Sequence, residues 1–463
     1  MADKEKGLLD NIKKKNIMNI EFIIFAFLII SPFIDCVTAI SKRLNINIPS
    51  MSEIIRIIFL LFIGIYFLFK TKTTKLKKFT LVYFGIIGIF SICSILNLSA
   101  LHLGNGNLSN IKNIVKIFYF SVVLMIFINI FIDEDFKIKK EQLTKIGLIC
   151  GLLIFIPTSF GTYFESYGWM GQEGTNGLFY AANETGAILS MLNMFMYLYF
   201  IQKPVTAYSF VCVLVSTYVN AYLGTKAPFY AFVISAMFLF IYFVFNNVIM
   251  ENYEKSKARN IFKKGLIILL VAIIVFPTSP FANNYYGLRN KMKLIKTKET
   301  KKKSKDKKFD PESSLKSRKL FKEMASKKFE KQSLKTKLLG MGTYEIDPKE
   351  IRENKEYKEI SKELILQKSV EIDYYDVFYS TGYIGLILTI APIISILGCA
   401  IIKTFMNFKE NIKDIDKISQ LFVVFLVIGV SFIAGHAFVA PAVSVLIAVI
   451  LANLVYDFNM IKK

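Results

Sequence analysis

Apolar runs of about twenty residues recur along this chain, and each is long enough to cross the hydrocarbon core of a bilayer as a helix. About twelve such runs can be counted in the 463 residues, of which 54% are apolar. Soluble domains have roughly 45–50% apolar residues. Because a chain in lipid must pair its own backbone polar groups, the runs predict an all-α polytopic membrane protein with about twelve transmembrane helices.

One long polar segment interrupts the apolar runs. It separates residues 1–281, with nine predicted transmembrane helices, from residues 383–463, with three. The segment itself, residues 282–382, contains two stretches in which apolar residues recur at helical spacing among charges, 313–339 and 351–370. We expect the segment to be a large extracytoplasmic loop with amphipathic helices suited to lie on the bilayer surface.

Lysines and arginines are distributed unevenly between the short loops, and this predicts the orientation. Basic loops alternate with loops that carry almost no charge. The positive-inside rule then places both termini in the cytoplasm and the segment 282–382 outside, since long loops are translocated largely regardless of charge. The net charge of +23 comes in part from the same basic loops, and we expect no nucleic-acid partner.

Motifs that would indicate a metal or a cofactor are missing from the sequence. The five cysteines lie inside apolar runs, without the Cys or His spacing of a zinc site; they are Cys36, Cys93, Cys150, Cys212 and Cys399. There is also no glycine-rich phosphate loop and no serine nucleophile motif. We therefore predict no metal and no cofactor.

Three carboxylates cluster where the polar segment enters the tenth predicted helix. Glu371, Asp373 and Asp376 lie within six residues, and charges at a membrane entry are costly unless they are paired or hydrated. Acidic residues are favoured at a helix N-terminus by the helix dipole, so capping is the alternative interpretation. Because three acids exceed what capping needs, we interpret them as a general base with orienting partners.

Arginine is rare in the polar segment, where lysine is abundant. Arg289 and Arg318 are candidates because a guanidinium grips phosphate oxygens with two parallel hydrogen bonds. Lys226 follows Gly224-Thr225 at the predicted outer start of the eighth helix, where a lone cation is unexpected. We predict that these cations contact a diphosphate. The alternatives are ordinary surface bases and a lysine that extends to the membrane interface.

Three further polar residues lie at predicted outer helix ends. Asn183 and Glu184 begin the sixth predicted helix, where capping explains them equally well. His436, one of two histidines, lies at the outer end of the eleventh, where an interfacial histidine with an ordinary hydrogen-bonding role is the alternative. We keep all three as candidate substrate-binding residues.

Four segments resemble motifs of one family. They are Asn183-Glu184-Thr185-Gly186, which resembles "(D/A)NE-x-G"; Gly224-Thr225-Lys226, which resembles "G-S/T-R/K"; Arg318 with Leu338-Leu-Gly-Met-Gly342, which resembles "GR…W…PLLGVG"; and Glu371 with Gly382-Tyr-Ile-Gly385, which resembles "H-x10-G-x-x-G". By their order and by the layout of the helices, the chain resembles the O-antigen ligase and polymerase superfamily of bacterial membrane glycosyltransferases. It departs from the pattern at Glu371, where ligases have histidine, and at Phe321, where they have tryptophan.

The resemblance implies a glycosyltransferase in the bacterial cytoplasmic membrane that uses neither a metal nor a nucleotide sugar. The donor would be a glycan on undecaprenyl diphosphate, with Arg318, Lys226 and Arg289 stabilising the departing charge. Glu371 would accept a proton from the attacking sugar hydroxyl, and Asp373 and Asp376 are alternatives for that role. A chain-length regulator and a flippase of the same pathway are candidate partners.

The departure at Glu371 favours a polysaccharide polymerase, which extends one lipid-linked repeat unit with another. The first alternative is a ligase-like enzyme that transfers finished glycan to a final acceptor. The alternative of another class is a lipid-linked oligosaccharide flippase, although such transporters usually lack a long outward loop.

Overall fold

The structure, a computed structural model, describes residues 19–46, 50–103, 106–166, 173–246, 255–286, 313–344, 370–433 and 435–461. Helices dominate these ranges, and no strand occurs in them beyond an isolated bridge between Glu165 and Thr175. The all-α prediction is confirmed. Arg289 and the predicted amphipathic stretch 351–370, apart from its last residue, lie outside the described residues.

The α-helices follow one another along the chain with short connections. They are α1 (Ile20–Arg43), α2 (Met51–Phe69), α3 (Lys75–Ala100), α4 (Asn107–Asp133), α5 (Lys140–Ser159), α6 (Ala182–Gln202), α7 (Ala207–Tyr222), α8 (Lys226–Val244), α9 (Lys255–Val275), α10 (Pro280–Tyr286), α11 (Ser313–Glu330), α12 (Leu334–Leu339), α13 (Asp373–Met406), α14 (Phe408–Asn411), α15 (Ile415–Ile433) and α16 (Pro441–Asp457).

Ten helices within the described ranges are long and apolar enough to cross a membrane. Two more, α7 and α16, are apolar but shorter, with 16 and 17 residues. Together they account for a multi-pass membrane protein. The count of twelve transmembrane helices and the orientation of the termini stay predictions.

The most buried apolar helices, α4, α6 and α16, form the centre of the bundle. The apolar windows of α4 and α6 are 83% and 89% buried, whereas those of α2 and α3 are each 28% buried. Because α16 packs along α4 and also contacts α6, these three helices bury their side chains against protein. The outer helices expose apolar faces suited to lipid.

Lysines cap helix C-termini at one end of the bundle. The last carbonyls of a helix lack intrahelical partners and carry partial negative charge. Lys77 Nζ donates to carbonyls at the end of α2, at 2.8 Å. Lys264 Nζ does so at the end of α6, at 3.0 Å, and Lys403 Nζ at the end of α16, at 2.7 and 2.9 Å. We call this end the lysine-capped face. The opposite end, where α1 ends and α6 begins, contains a polar cavity and is called the cavity face.

At the cavity face, α13 is kinked at Gly382, whose φ is 66°. The kink frees two carbonyls of α13, which accept the N–H groups of Met341, at 2.9 Å, and Gly342, at 3.0 Å. A Cβ on Gly382 would lie 2.4 Å from the Lys337 carbonyl oxygen. The close approach therefore requires glycine at 382, and it joins two segments that the sequence motifs had singled out separately.

The stretch 313–339, expected to be an amphipathic helix, forms two helices, α11 and α12. The two helices are separate because the side chain of Ser333 caps the start of α12, where its hydroxyl oxygen accepts the N–H of Thr336 at 3.3 Å. The buried side chains of α11, Leu320, Phe321 and Phe329, belong to a small core that includes residues of α13. The apolar side of α11 thus packs on protein and not on the bilayer surface.

Candidate active site

A cavity of about 680 Å³ opens at the cavity face, between the end of α1, the start of α6, the loop that precedes α6 and the turn between α15 and α16. Most of the residues that line it have polar side chains, with cations and carboxylates together. The lining residues are Lys42, Arg43, Asn45, Glu165, Ser166, Tyr180, Ala181, Ala182, Asn183, Glu184 and His436. Three of the predicted substrate-binding residues, Asn183, Glu184 and His436, are therefore brought together.

The turn that carries His436 is held by Asp373, the first residue of α13. The Asp373 carboxylate accepts three backbone N–H groups, from His436 at 2.6 Å, Ala437 at 2.7 Å and Phe438 at 2.8 Å. Asp373 is 2% exposed, and a buried carboxylate needs such donors to compensate for lost hydration. Asp373, a carboxylate that the sequence predicts to be catalytic, thus determines the conformation of the turn beside the cavity.

Two residues beside the cavity have strained backbones. Glu371 and His436 both have a φ of 59°, a conformation that costs a non-glycine residue roughly 1–3 kcal/mol. Between them lies Gly435, where a Cβ would be 2.3 Å from the carbonyl oxygen of Glu371. Strain of this kind persists only where the surroundings hold it, and at His436 the hydrogen bonds to Asp373 do so.

His436 is surrounded by charges from four different segments. Burial lowers the pKa of its imidazole below the ordinary value, while the charges of Glu184 and Glu371 raise it and those of Lys116 and Arg318 lower it. The net shift is downward, so the imidazole is predominantly neutral at pH 7. A neutral, half-buried imidazole facing a polar cavity is able to accept a proton.

Arg318 and Glu371 lie side by side next to this turn. Arg318 Nη2 is 3.8 Å from Glu371 Oε2, and the two side chains are 13% and 27% exposed. Arg318 also donates to the carbonyl of Ile433 at the end of α15. The predicted base and the predicted phosphate-binding arginine are therefore neighbours, and their catalytic roles stay predictions.

Asp376 forms hydrogen bonds with other partners than Asp373 does. Its Oδ1 accepts the Tyr344 hydroxyl at 2.9 Å and the Val370 N–H at 3.1 Å. It thereby connects the entry of α13 to the segment that follows α12. Its predicted catalytic role stays a prediction.

Lys226 lies apart from the cavity lining. It begins α8, and its Nζ is 5.0 Å from the centroid of the Tyr285 ring. Its predicted contact with a diphosphate stays a prediction, as does that of Arg289 outside the described residues.

Two cations of the cavity, Lys42 and Arg43, were not predicted from the sequence as site residues. The guanidinium of Arg43 lies 4.8 Å from the centroid of the Phe164 ring, and both cations lie over Tyr180, at 5.2 and 5.6 Å. Aromatic faces hold cations in this way. The signal in the sequence was two consecutive cations at the predicted outer end of the first helix, where the positive-inside rule expects few.

Comparison with known proteins identifies the family. The sequence model of a family described as "O-antigen ligase like membrane protein" matches residues 18–461. No curated protein matches the chain. Because the match covers nearly the whole chain, the protein belongs to the O-antigen ligase-like membrane family, a glycosyltransferase-type class of membrane enzymes.

Proposed function

We propose that this protein is a bacterial cell-surface polysaccharide polymerase. It transfers a glycan from undecaprenyl diphosphate to a sugar hydroxyl of another lipid-linked repeat unit. The observation that carries the proposal is the cavity of about 680 Å³, which combines cations, carboxylates and a histidine at one end of a membrane helix bundle. Family membership supplies the class of reaction.

The reaction forms a bond from the acceptor hydroxyl oxygen to the anomeric carbon of the donor. The bond from that carbon to the diphosphate oxygen breaks, and its electron pair stays on the diphosphate. Attack from the side opposite the leaving group inverts the anomeric centre. The acceptor's proton must leave, so the site needs a base.

Cations stabilise the departing diphosphate, because negative charge develops on it in the transition state. Lys42 and Arg43 lie in the cavity itself, and Arg318 lies beside His436. The aromatic rings of Phe164 and Tyr180 restrict the first two cations, so less conformational entropy is lost on binding. We propose that Arg318, Lys42 and Arg43 form the primary contacts of the diphosphate, with Lys226, outside the cavity lining, contacting a more distant part of the substrates.

The remaining polar residues have two proposed roles. Asn183 and Glu184 face the cavity from the start of α6, and they supply a hydrogen-bond donor and acceptors for sugar hydroxyls. Asp373 and Asp376 receive backbone and tyrosine donors, so they hold the site in shape.

The experiment compares a strain lacking this protein with the same strain carrying the wild type. Lipid-linked and surface glycans are extracted from both and sized. Loss of long chains, with single repeat units on the carrier, is the expected result. Long chains stranded on the lipid carrier would identify a ligase, and repeat units confined to the cytoplasmic side would identify a flippase. Either outcome would overturn the polymerase proposal.

A further inference from the structure

We infer that His436 is the general base of this site and that Asp373 is its positioning residue. The inference rests on the proposed glycan transfer and assigns its proton-accepting step. It differs from the sequence-based prediction, in which Glu371 is the base and His436 only contacts substrate.

His436 lies where a substrate hydroxyl can reach it. It is half-buried, and it lines the cavity that also contains Lys42 and Arg43. The cations attract the diphosphate, so the reacting carbon is bound in the same cavity as the imidazole. Glu371, Asp373 and Asp376 are not among the residues that line it.

Each of the three carboxylates already has partners of its own outside the cavity. Asp373 accepts three backbone N–H groups, and Asp376 accepts a hydroxyl and an N–H. Glu371 lies 3.8 Å from the guanidinium of Arg318. These contacts hold the carboxylates outside the cavity lining, so none of the three is placed to take a proton from a hydroxyl bound in the cavity. The neutral imidazole of His436, by contrast, lines the cavity and can accept a proton near pH 7.

The charges around His436 suit a residue that becomes positive during the reaction. Glu184 on α6 and Glu371 before α13 favour the imidazolium, and Lys116 on α4 and Arg318 on α11 oppose it. The cavity adds Lys42, Arg43 and Glu165. Burial, and to a smaller extent these cations, keeps the resting imidazole unprotonated, and bound diphosphate would offset the cations when the proton is transferred.

The backbone of the turn holds the imidazole in place. The φ of 59° at His436 is costly for a residue with a side chain, yet three hydrogen bonds from consecutive N–H groups to Asp373 maintain it. Strain maintained in this way at a cavity wall is typical of a residue whose orientation matters for function. In the reaction, the acceptor proton moves to the unprotonated ring nitrogen of His436, and from there to water.

The test measures the transfer of glycan between lipid-linked units by the full chain reconstituted in liposomes, from about pH 5 to 9. The proteins compared are the wild type, His436→Gln, Glu371→Gln and His102→Gln. His102 is the matched control, because it is exposed and also has a positive φ, 49°. We expect His436→Gln to lower kcat by about 10²- to 10⁴-fold with little change in KM. It should also remove the fall of the wild-type rate at acid pH.

Glu371→Gln should keep that acid fall, and His102→Gln should match the wild type. Addition of free imidazole to His436→Ala should restore part of the rate, which a purely structural role would not allow. Asp373→Asn should lower kcat while retaining the acid fall. The inference is overturned if His436→Gln keeps a rate within about threefold of the wild type, if Glu371→Gln is the variant that loses the acid fall, or if imidazole does not rescue. Absence of transfer by the wild type would overturn the proposed function as well.

Discussion

Replacing Asp373 by asparagine tests how the turn beside the cavity is held. Oδ1 of Asp373 accepts the N–H of His436, and Oδ2 accepts those of Ala437 and Phe438. The best orientation of an asparagine keeps the two bonds at Oδ2 and points its NH₂ group at the N–H of His436. One bond to a charged acceptor is lost, and two others become bonds to a neutral acceptor.

The magnitude follows from these bonds. A hydrogen bond to a charged group contributes about 1.5–3 kcal/mol, and one between neutral groups about 0.5–1.5 kcal/mol. Removing the buried negative charge of Asp373, which is 2% exposed, returns part of its desolvation cost. We expect a net loss of about 2–4 kcal/mol in the free energy that keeps the turn closed.

Amide hydrogen exchange of the detergent-solubilised protein measures this loss directly. A loss of about 2–4 kcal/mol corresponds to exchange on the order of 30- to 1,000-fold faster at residues 436–438. Asp414→Asn is the matched control. Its Oδ1 alone accepts two N–H groups at the start of α15, at 3.1 and 3.2 Å, which an amide oxygen also does. Exchange at residues 436–438 that is no faster in Asp373→Asn than in the control would refute the reasoning.

Three further predictions concern the same structure. Gly382→Ala should destabilise the protein by more than about 2 kcal/mol, because the alanine Cβ would lie 2.4 Å from a carbonyl oxygen. At Gly398 no atom lies within 4 Å of the position of a Cβ, so Gly398→Ala should be neutral or stabilising. Thermal unfolding of both variants measures the difference. Lys264→Met should lower stability by about 1–3 kcal/mol because it leaves carbonyls at the end of α6 without their donor. Lys263→Met, at an exposed neighbour, should lower it by under about 0.5 kcal/mol. Equal effects of the two variants would contradict the capping role of Lys264. Burial lowers the folded-state pKa of His436. The contribution of the neutral imidazole to stability should therefore be complete above about pH 6.5 and be lost as the pH falls through the folded-state pKa. His436→Gln should flatten this pH dependence of the unfolding free energy, measured from about pH 5 to 8.

The helical fold could be predicted from the sequence because apolar run length is a local property. The runs predicted helices wherever the described chain has long apolar ones. Two of the twelve predicted spans, α7 and α16, form helices shorter than the other ten. The division of the stretch 313–339 was missed. Its cause is a local cap by Ser333 within a pattern whose apolar spacing continues across the break.

The candidate site was predicted in part, and the part that was missed depends on contacts distant in sequence. The cluster of Glu371, Asp373 and Asp376 was visible as an excess of acids. That Asp373 binds a turn more than sixty residues away could not be inferred without knowing that α13 begins beside that turn. Lys42 and Arg43 carried a signal in their position, but their role depends on Tyr180, which the fold brings over them.

Reconstitution of the purified protein tests the central claim most directly. Lipid-linked glycan extracted from a strain that lacks the protein would be supplied to the full chain in liposomes, and products would be sized by electrophoresis. The account predicts that single repeat units become longer chains still attached to lipid, with one released undecaprenyl diphosphate for each bond formed. It also predicts that replacing both Lys42 and Arg43 by glutamine slows this conversion. Lipid-linked units that remain single, with no released diphosphate, would contradict the account.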